Sequence, residues 1–385
     1  MKKILFITGK WPYKSSINDG GDAVVSEMIE ALGKSSLLTL LVVKNDIDET
    51  IKIPDVCSVI KLNQDVSCFN NYGKQEDSKF FKWMKTGEYI AEYLRNYADN
   101  YDLIIIHHIL FSLGLTENDD AILQKSILMP MFTGISYRQA GEYVPELYLE
   151  TERRILPHAG YILTPSNLEK NLLIQEYAVA DEKISVIPRP VKFDFIRKTI
   201  ADASNIRLLY IGSVRKQKNH AGAVTMMKYL TEYCPDAKLI CCGAIQENSL
   251  YEECQSLISK WGLEKNIEFL GNCSREELSR IIRTCDINIS VSNSETFGRG
   301  IYEGMAAGLP TVVLNRLECV RTADTISVCP VIASDYAEMA YKIQELITHP
   351  AEYLLESKKG EILQKELSSE KIYTLIRKAV LYRRS

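Results

Sequence analysis

Short apolar runs rich in β-branched residues recur along this chain, spaced so that one helix fits between each pair. KILFIT (3–8), SLLTLLVV (36–43), YDLIIIHH (101–108), SILMPMF (126–132), AGYILTPS (159–166) and KISVIP (183–188) form one series. Helical patterns such as GGDAVVSEMIEALGK and EYIAEYLRNYADN lie between them. Strands that are apolar on both faces belong inside a parallel sheet, and the helices supply the crossovers. The pattern then restarts with IRLLYIGS (206–213), DAKLICCGA (236–244), KNIEFLGN (265–272), CDINISVS (285–292) and LPTVVLN (309–315). A length of 385 residues accommodates two domains. The expectation is an α/β chain of two Rossmann-like, doubly wound parallel-sheet domains facing across a cleft. Their expected bounds are 1–190 and 205–365, with a linker at 191–204 and an amphipathic helix at 366–385.

Composition removes several function classes. A formal net charge of -4 gives no basic excess for nucleic acid. The ten cysteines form no C-x-x-C pair and no cluster with histidine, so no metal site is expected and free thiols in a reducing compartment are. The apolar core of MKKILFITGKWPY is only ILFI, too short for a secretory signal, and no run approaches the roughly 18 apolar residues of a membrane span. A cytoplasmic location is expected. SKFFKWMK (78–85) leaves open a peripheral contact at the inner face of the membrane. Phe80, Trp83 and Met84 also have helix-core spacing, and burial is the preferred reading. DID at 46–48 matches the D-x-D spacing of metal-bound nucleotide sugars in a different fold and is read as chance.

In open α/β sheets ligands sit outside the carboxyl ends of the strands, so motifs just after strands carry the most information. The stretch SNSETFGRGIYEGMAAGLP (292–310) follows one strand and opens a helix. Its glycine-rich entry, Gly298-Arg299-Gly300, offers backbone N–H groups and the positive end of a helix dipole, a setting for phosphate. Glu295 lies before that entry and Glu303 about one turn inside the helix. Carboxylates repel phosphate, but they accept hydrogen bonds from hydroxyls on either side of it. A ribose on one side and a sugar on the other satisfy both. The plain alternative is two acids answering a helix dipole, at about 0.3–1 kcal/mol each.

ETFGRGIYEGMAAGLP (295–310) resembles the signature of retaining glycosyltransferases of the GT-B fold, especially glycosyltransferase family 4, roughly E-x-F-G-x-x-x-x-E-A-M-A-x-G-x-P. Its departure at the marked positions is Gly304 for Ala. The resemblance implies that Glu303 holds the ribose of a nucleotide-diphospho-sugar donor, Glu295 meets the donor sugar, and the amides around Phe297 to Gly300 meet sugar and diphosphate. LLYIGSVRKQKNH (208–220) is similar to the family's diphosphate-holding element, with Lys218 in the lysine position. Ser213 stands where the family has arginine, which weakens the cationic clamp or shifts it to Arg215 or Arg299. Gly20 and Gly21 resemble the glycine pair that approaches the diphosphate, and His107 resembles the histidine near the reacting sugar.

These readings name Glu295, Lys218 and His107 as the catalytic set. The donor-binding set is Glu303, Gly21, Gly20, Arg215, Phe297, Gly298, Arg299 and Gly300. By strand alternation His108 points away from His107. No metal and no cofactor beyond the nucleotide sugar is implied, and the acceptor is a glycan or lipid-linked hydroxyl. Loops 64–80 and 133–147, with Arg138 and Glu142, are the acceptor candidates. Two alternatives remain: a non-catalytic partner subunit, favoured by Ser213, and a nucleotide-sugar epimerase, which lacks an evident acid/base set.

Overall fold

The computed structural model describes residues 1–9, 20–43, 53, 55–62, 75–200, 203–321 and 326–382. The chain forms two compact units. The first contains Gly20–Pro188, the strand ahead of it and Ile372–Ser385, and the second contains Arg189–Lys371.

The first unit is built on a seven-stranded sheet: β1 (Lys3–Thr8), β2 (Leu37–Val42), β3 (Ser58–Lys61), β4 (Leu103–His107), β5 (Ser126–Met129), β6 (Tyr161–Thr164) and β7 (Ile184–Val186). Their order is β3-β2-β1-β4-β5-β6-β7, and every pairing is parallel. Its helices are α1 (Gly20–Leu32), α2 (Gln75–Tyr97), α3 (Asp120–Gln124), α4 (Gly134–Gln139), α5 (Glu146–Ile155) and α6 (Asn167–Tyr177). The central strands are apolar on both faces because helices cover both. Ile4 to Ile7 and Ile104 to Ile106 are fully buried.

The second unit repeats the plan with β8 (Arg207–Ile211), β9 (Lys238–Cys242), β10 (Ile267–Gly271), β11 (Ile287–Ser290), β12 (Thr311–Leu314) and β13 (Val331–Ala333). The order is β10-β9-β8-β11-β12-β13, again all parallel. Its helices are α7 (His220–Tyr233), α8 (Asn248–Trp261), α9 (Arg275–Thr284), α10 (Arg299–Ala306), α11 (Glu318–Arg321), α12 (Tyr336–Thr348) and α13 (Pro350–Glu366). A last helix, α14 (Ser369–Leu381), follows. From Ile372 onward it belongs to the first unit, where the Tyr373 hydroxyl donates to Glu30 and Arg377 to the Ala31 carbonyl.

Two strands escaped the sequence reading. β3 and β13 each form one edge of a sheet, are four and three residues long and only partly covered, so their apolar runs of two and three residues are too short to stand out. The segment at 191–204 is irregular where described, yet it packs on the second unit. Phe193 lies in a core with Leu209, Ile240 and Leu309. The Lys198 ammonium donates to the carbonyls of Ile282 (3.2 Å), Arg283 (2.7 Å) and Cys285 (2.9 Å), closing the carboxyl end of α9. In SKFFKWMK, Phe80 is buried and Trp83 and Met84 pack half-buried on the first unit's core, as a core-facing helix requires. Nine cysteines are described, all as free thiols, and Cys241 and Cys242 are buried in β9. The D-x-D at 46–48 lies outside the described residues.

Candidate functional site

Each sheet reverses its strand order once: between β1 and β4 in the first unit, and between β8 and β11 in the second. The carboxyl ends of those strand pairs are where a doubly wound sheet opens a crevice. In the second unit the loops leaving β8 and β11 carry Lys218 and Glu295.

These two loops are tied together. Val214 pairs with Ile245 as an extension of β8, and a short turn at Lys216–Lys218 leads to Asn219, whose left-handed backbone (φ 54°) starts α7. The Asn219 side chain accepts from Gly222 N and donates to the Val291 carbonyl (3.1 Å). From the facing loop, Asn293 N donates to the Gln217 carbonyl (2.8 Å) and its amide to the Lys216 carbonyl (3.0 Å), while Gln217 returns a bond to the Ser294 carbonyl (2.9 Å). At the centre the Lys218 ammonium pairs with Glu295 Oε1, with side chains only 14% and 10% exposed. Ser292 donates to the same oxygen at 2.8 Å. The Tyr210 hydroxyl, rising from β8, donates to the Lys218 carbonyl and lies 3.1 Å from Ser292 Oγ. The lysine stem crosses Gly212, where an added Cβ would meet Lys218 Cδ at 3.2 Å.

The next residues build the helix start. Gly298 has φ 84°, a left-handed position that suits glycine, and it opens α10 with no side-chain cap. The positive end of the dipole is therefore not answered by the cap residue itself. Phe297 is buried against Tyr302, with ring centroids 4.9 Å apart. Arg299 and Gly300 form the first turn, and Glu303 stands half-buried one turn further along. Arg215 is half-buried, and its Nε is buried with no hydrogen-bond partner among the described residues. Its backbone is extended, as is the bridged Val214 before it, so Arg215 and Ser213 share a side of the chain.

His220 is buried. Its ring lies between Tyr210 (4.8 Å) and Phe269 (5.8 Å), and burial, with Lys218 nearby, pulls its pKa down to about 4. The imidazole is therefore neutral and adds no charge beside Lys218.

In the first unit, Gly20 and Gly21 open α1. His107 ends β4 with its ring buried: Nδ1 is 3.1 Å from Thr8 Oγ1, at the end of β1, and Nε2 is 3.0 Å from Met131 Sδ. His108 does not follow strand alternation, because it lies past the strand with φ 95°. Its half-buried ring sits edge-on to Phe132, with centroids 4.7 Å apart. A positive φ on histidine leaves no mark in a sequence. Arg138 of α4 is held by Glu146 (3.1 Å) and the Val144 carbonyl (2.8 Å).

Beneath α4 lie two carboxyls that the sequence did not single out. Both oxygens of Glu152 accept from Gly134 N (3.1 and 2.9 Å), and Oε2 also accepts from the Tyr177 hydroxyl (2.6 Å). Burial pushes Glu152 up to about 8 and Glu169 up to about 7. Glutamates in amphipathic helices read as surface residues, which hid both.

Residues 191–359 match the family model of glycosyl transferases group 1. The match lies within the second unit and agrees with the glycosyltransferase resemblance read from the signature at the level of group 1. A Dictyostelium discoideum relative described as GDP-Man:Man(3)GlcNAc(2)-PP-Dol alpha-1,2-mannosyltransferase is 26% identical over 167 residues, covering 40% of this chain and 32% of its own length. The chain thus spans about a third of that relative. The sucrose-phosphate synthase of Thermosynechococcus elongatus superposes with a TM-score of 0.75 at 19% identity, covering 99% of this chain and 98% of its own. Anabaena Alr3699/HepE, solved in complex with UDP and glucose, superposes with a TM-score of 0.70 at 16% identity over the whole of both chains. These likenesses show the fold, which is the GT-B architecture of two Rossmann-like units.

Proposed function

We propose that this chain is a retaining glycosyltransferase that moves a sugar from a nucleotide-diphospho-sugar to a hydroxyl of a glycan or lipid-linked acceptor. The observation that carries the reading is the assembly at the β8/β11 switch point. There Lys218 and Glu295 are locked together beside an uncapped helix start, with Glu303 one turn inside that helix. Glu303 takes the ribose hydroxyls and Glu295 those of the donor sugar. The helix start and Lys218 meet the diphosphate, whose negative charge grows as it leaves. Arg215 supplies the second cation in place of Ser213, and its unpartnered Nε supports that role. With this charge in place the reaction is proposed to run without a metal.

The acceptor oxygen attacks the anomeric carbon on the face from which the diphosphate departs. The carbon–oxygen bond to phosphate breaks, and the acceptor proton passes to the leaving diphosphate. No protein nucleophile is needed, and positioning supplies most of the rate. His107 orients a sugar hydroxyl through Nε2 once the half-exposed thioether of Met131 swings aside. A cytoplasmic site of action, at or near a membrane carrying the acceptor, fits this chemistry. Among the described residues no helix is long and apolar enough to cross a membrane.

Calorimetry with UDP-, GDP- and ADP-sugars on wild type and Glu303→Ala tests the proposal. One donor is expected to bind, with affinity falling about tenfold or more on substitution, as expected when a buried polar contact is lost. No binding up to millimolar donor would overturn it in favour of the partner subunit that Ser213 suggests.

A further inference from the structure

Helix α10 sits close to the sheet. Gly300 and Gly304 are one turn apart and line one face of the helix. A Cβ at Gly300 would lie 2.8 Å from the Ile211 carbonyl oxygen at the end of β8. A Cβ at Gly304 would lie 2.3 Å from Asn288 Nδ2, 2.4 Å from its Cγ and 2.7 Å from its Cβ. Three atoms reaching back to the Asn288 Cβ cannot all be cleared by turning one amide.

Asn288 is a polar residue in the middle of the sheet, only 1% exposed, paired with Leu209 of β8 and Thr311 of β12. Its amide donates to the carbonyls of Gly300 (3.2 Å) and Ile301 (3.4 Å), in the first turn of α10, and reaches Thr311 Oγ1 at 3.3 Å. Its Oδ1 is buried without a hydrogen-bond partner among the described residues. Turning the amide over would set Oδ1 against two carbonyl oxygens, so its acceptors fix its orientation. An unsatisfied buried carbonyl is destabilising, and a fold that keeps one has a use for the other end of the group.

We infer that Asn288 is a positioning residue for the donor site. It fills the space that a side chain at position 304 would occupy, and it holds the first turn of α10 at the height where the Arg299–Gly300 amides and Glu303 meet the donor. Gly304, the departure from the alanine of the family signature, is then obligatory here because Asn288 lies beneath it. The inference rests on α10 carrying the nucleotide diphosphate, as proposed above.

The test is a double-mutant cycle of wild type, Gly304→Ala, Asn288→Ala and the double variant. Tm is measured for each, along with calorimetric affinity for whichever of UDP, GDP and ADP wild type binds most tightly. Ile347→Ala, in the core of the second unit, serves as a variant that lowers Tm away from α10. A helix displaced by about 1 Å is expected to cost Gly304→Ala tenfold or more in affinity, with a lower Tm. Asn288→Ala should weaken binding about threefold to tenfold, and adding Gly304→Ala to it should cost little more, because the space is vacant. Ile347→Ala should lower Tm and leave affinity within about twofold, since distant sites act independently. Wild-type affinity and Tm in Gly304→Ala would overturn the inference. So would equal penalties in both backgrounds, or an affinity loss in Ile347→Ala matching that of Asn288→Ala. If wild type binds none of the three nucleotides, the nucleotide-sugar reading fails, and the Tm cycle by itself decides whether Asn288 and Gly304 are coupled.

Discussion

Glu295 has two tasks that pull in different directions. Its carboxylate holds the Lys218 ammonium and accepts from Ser292, and the proposed reaction asks it to meet sugar hydroxyls as well. An ammonium has three donors, so Lys218 can keep Glu295 and still reach a phosphate oxygen. Glu295→Gln keeps the shape and removes the negative charge next to the diphosphate. Binding of the nucleoside diphosphate alone should hold or tighten a few-fold, while turnover with the intact donor falls by about two orders of magnitude, the scale of losing one transition-state contact. Calorimetry beside a transfer assay separates the two effects. Unchanged turnover would remove Glu295 from the catalytic set.

At the scale of an element, α4 is held from beneath by hydrogen bonds to a buried carboxyl. Gly134 N, at its first residue, points into both oxygens of Glu152, and a Cβ there would meet Leu149 Cδ2 at 2.4 Å and Glu152 Oε2 at 2.8 Å, so a side chain would require both to shift. Burial is the main force raising Glu152, opposed by the Tyr177 hydroxyl and Gly134 N; Glu169 of α6 raises it further, and Arg153 of α5 lowers it. Tyr148 is buried beside this group. A carboxyl raised from its unfolded value near 4.3 to about 8 binds more protons folded than unfolded. Its stabilising contribution is present at low pH and is lost as pH rises from the unfolded value through about 8. Glu152→Gln should therefore flatten the decline in thermal stability between pH 6 and 8.5. Melts across that range check it, and an unchanged slope in the variant would place the titration elsewhere.

At the scale of the molecule, the chain's end completes its beginning. Ile372, Ile376 and Val380 of α14 are buried, and Tyr373 and Arg377 bond to the end of α1. At about 1.5–3 kcal/mol for each buried apolar side chain, their loss rivals the whole stability of a domain. Truncation after Leu367 should lower the melting transition of the first unit and speed amide exchange in α1, leaving exchange in β8 and β11 near wild type. Equal acceleration in both sheets would show that α14 stabilises the molecule generally.

The sequence by itself determined the class of fold and half of the candidate site. Parallel strands buried on both faces must be apolar runs, so β1, β4, β8 and β11 were legible. The run from Glu295 to Pro310 was legible because a strand, a glycine entry and paired carboxylates occur together in one local stretch. The short edge strands β3 and β13 carry no such pattern. Tertiary structure alone decided what crosses between distant segments. It joined Lys218 to Glu295, buried His107 against Thr8 and Met131, and set His108 at a positive φ. It also placed Asn288 beneath Gly304 and buried Glu152 under α4. Local patterns record which side a residue faces in its own element, whereas hydrogen bonds and close contacts between elements depend on sheet order, which no single stretch encodes.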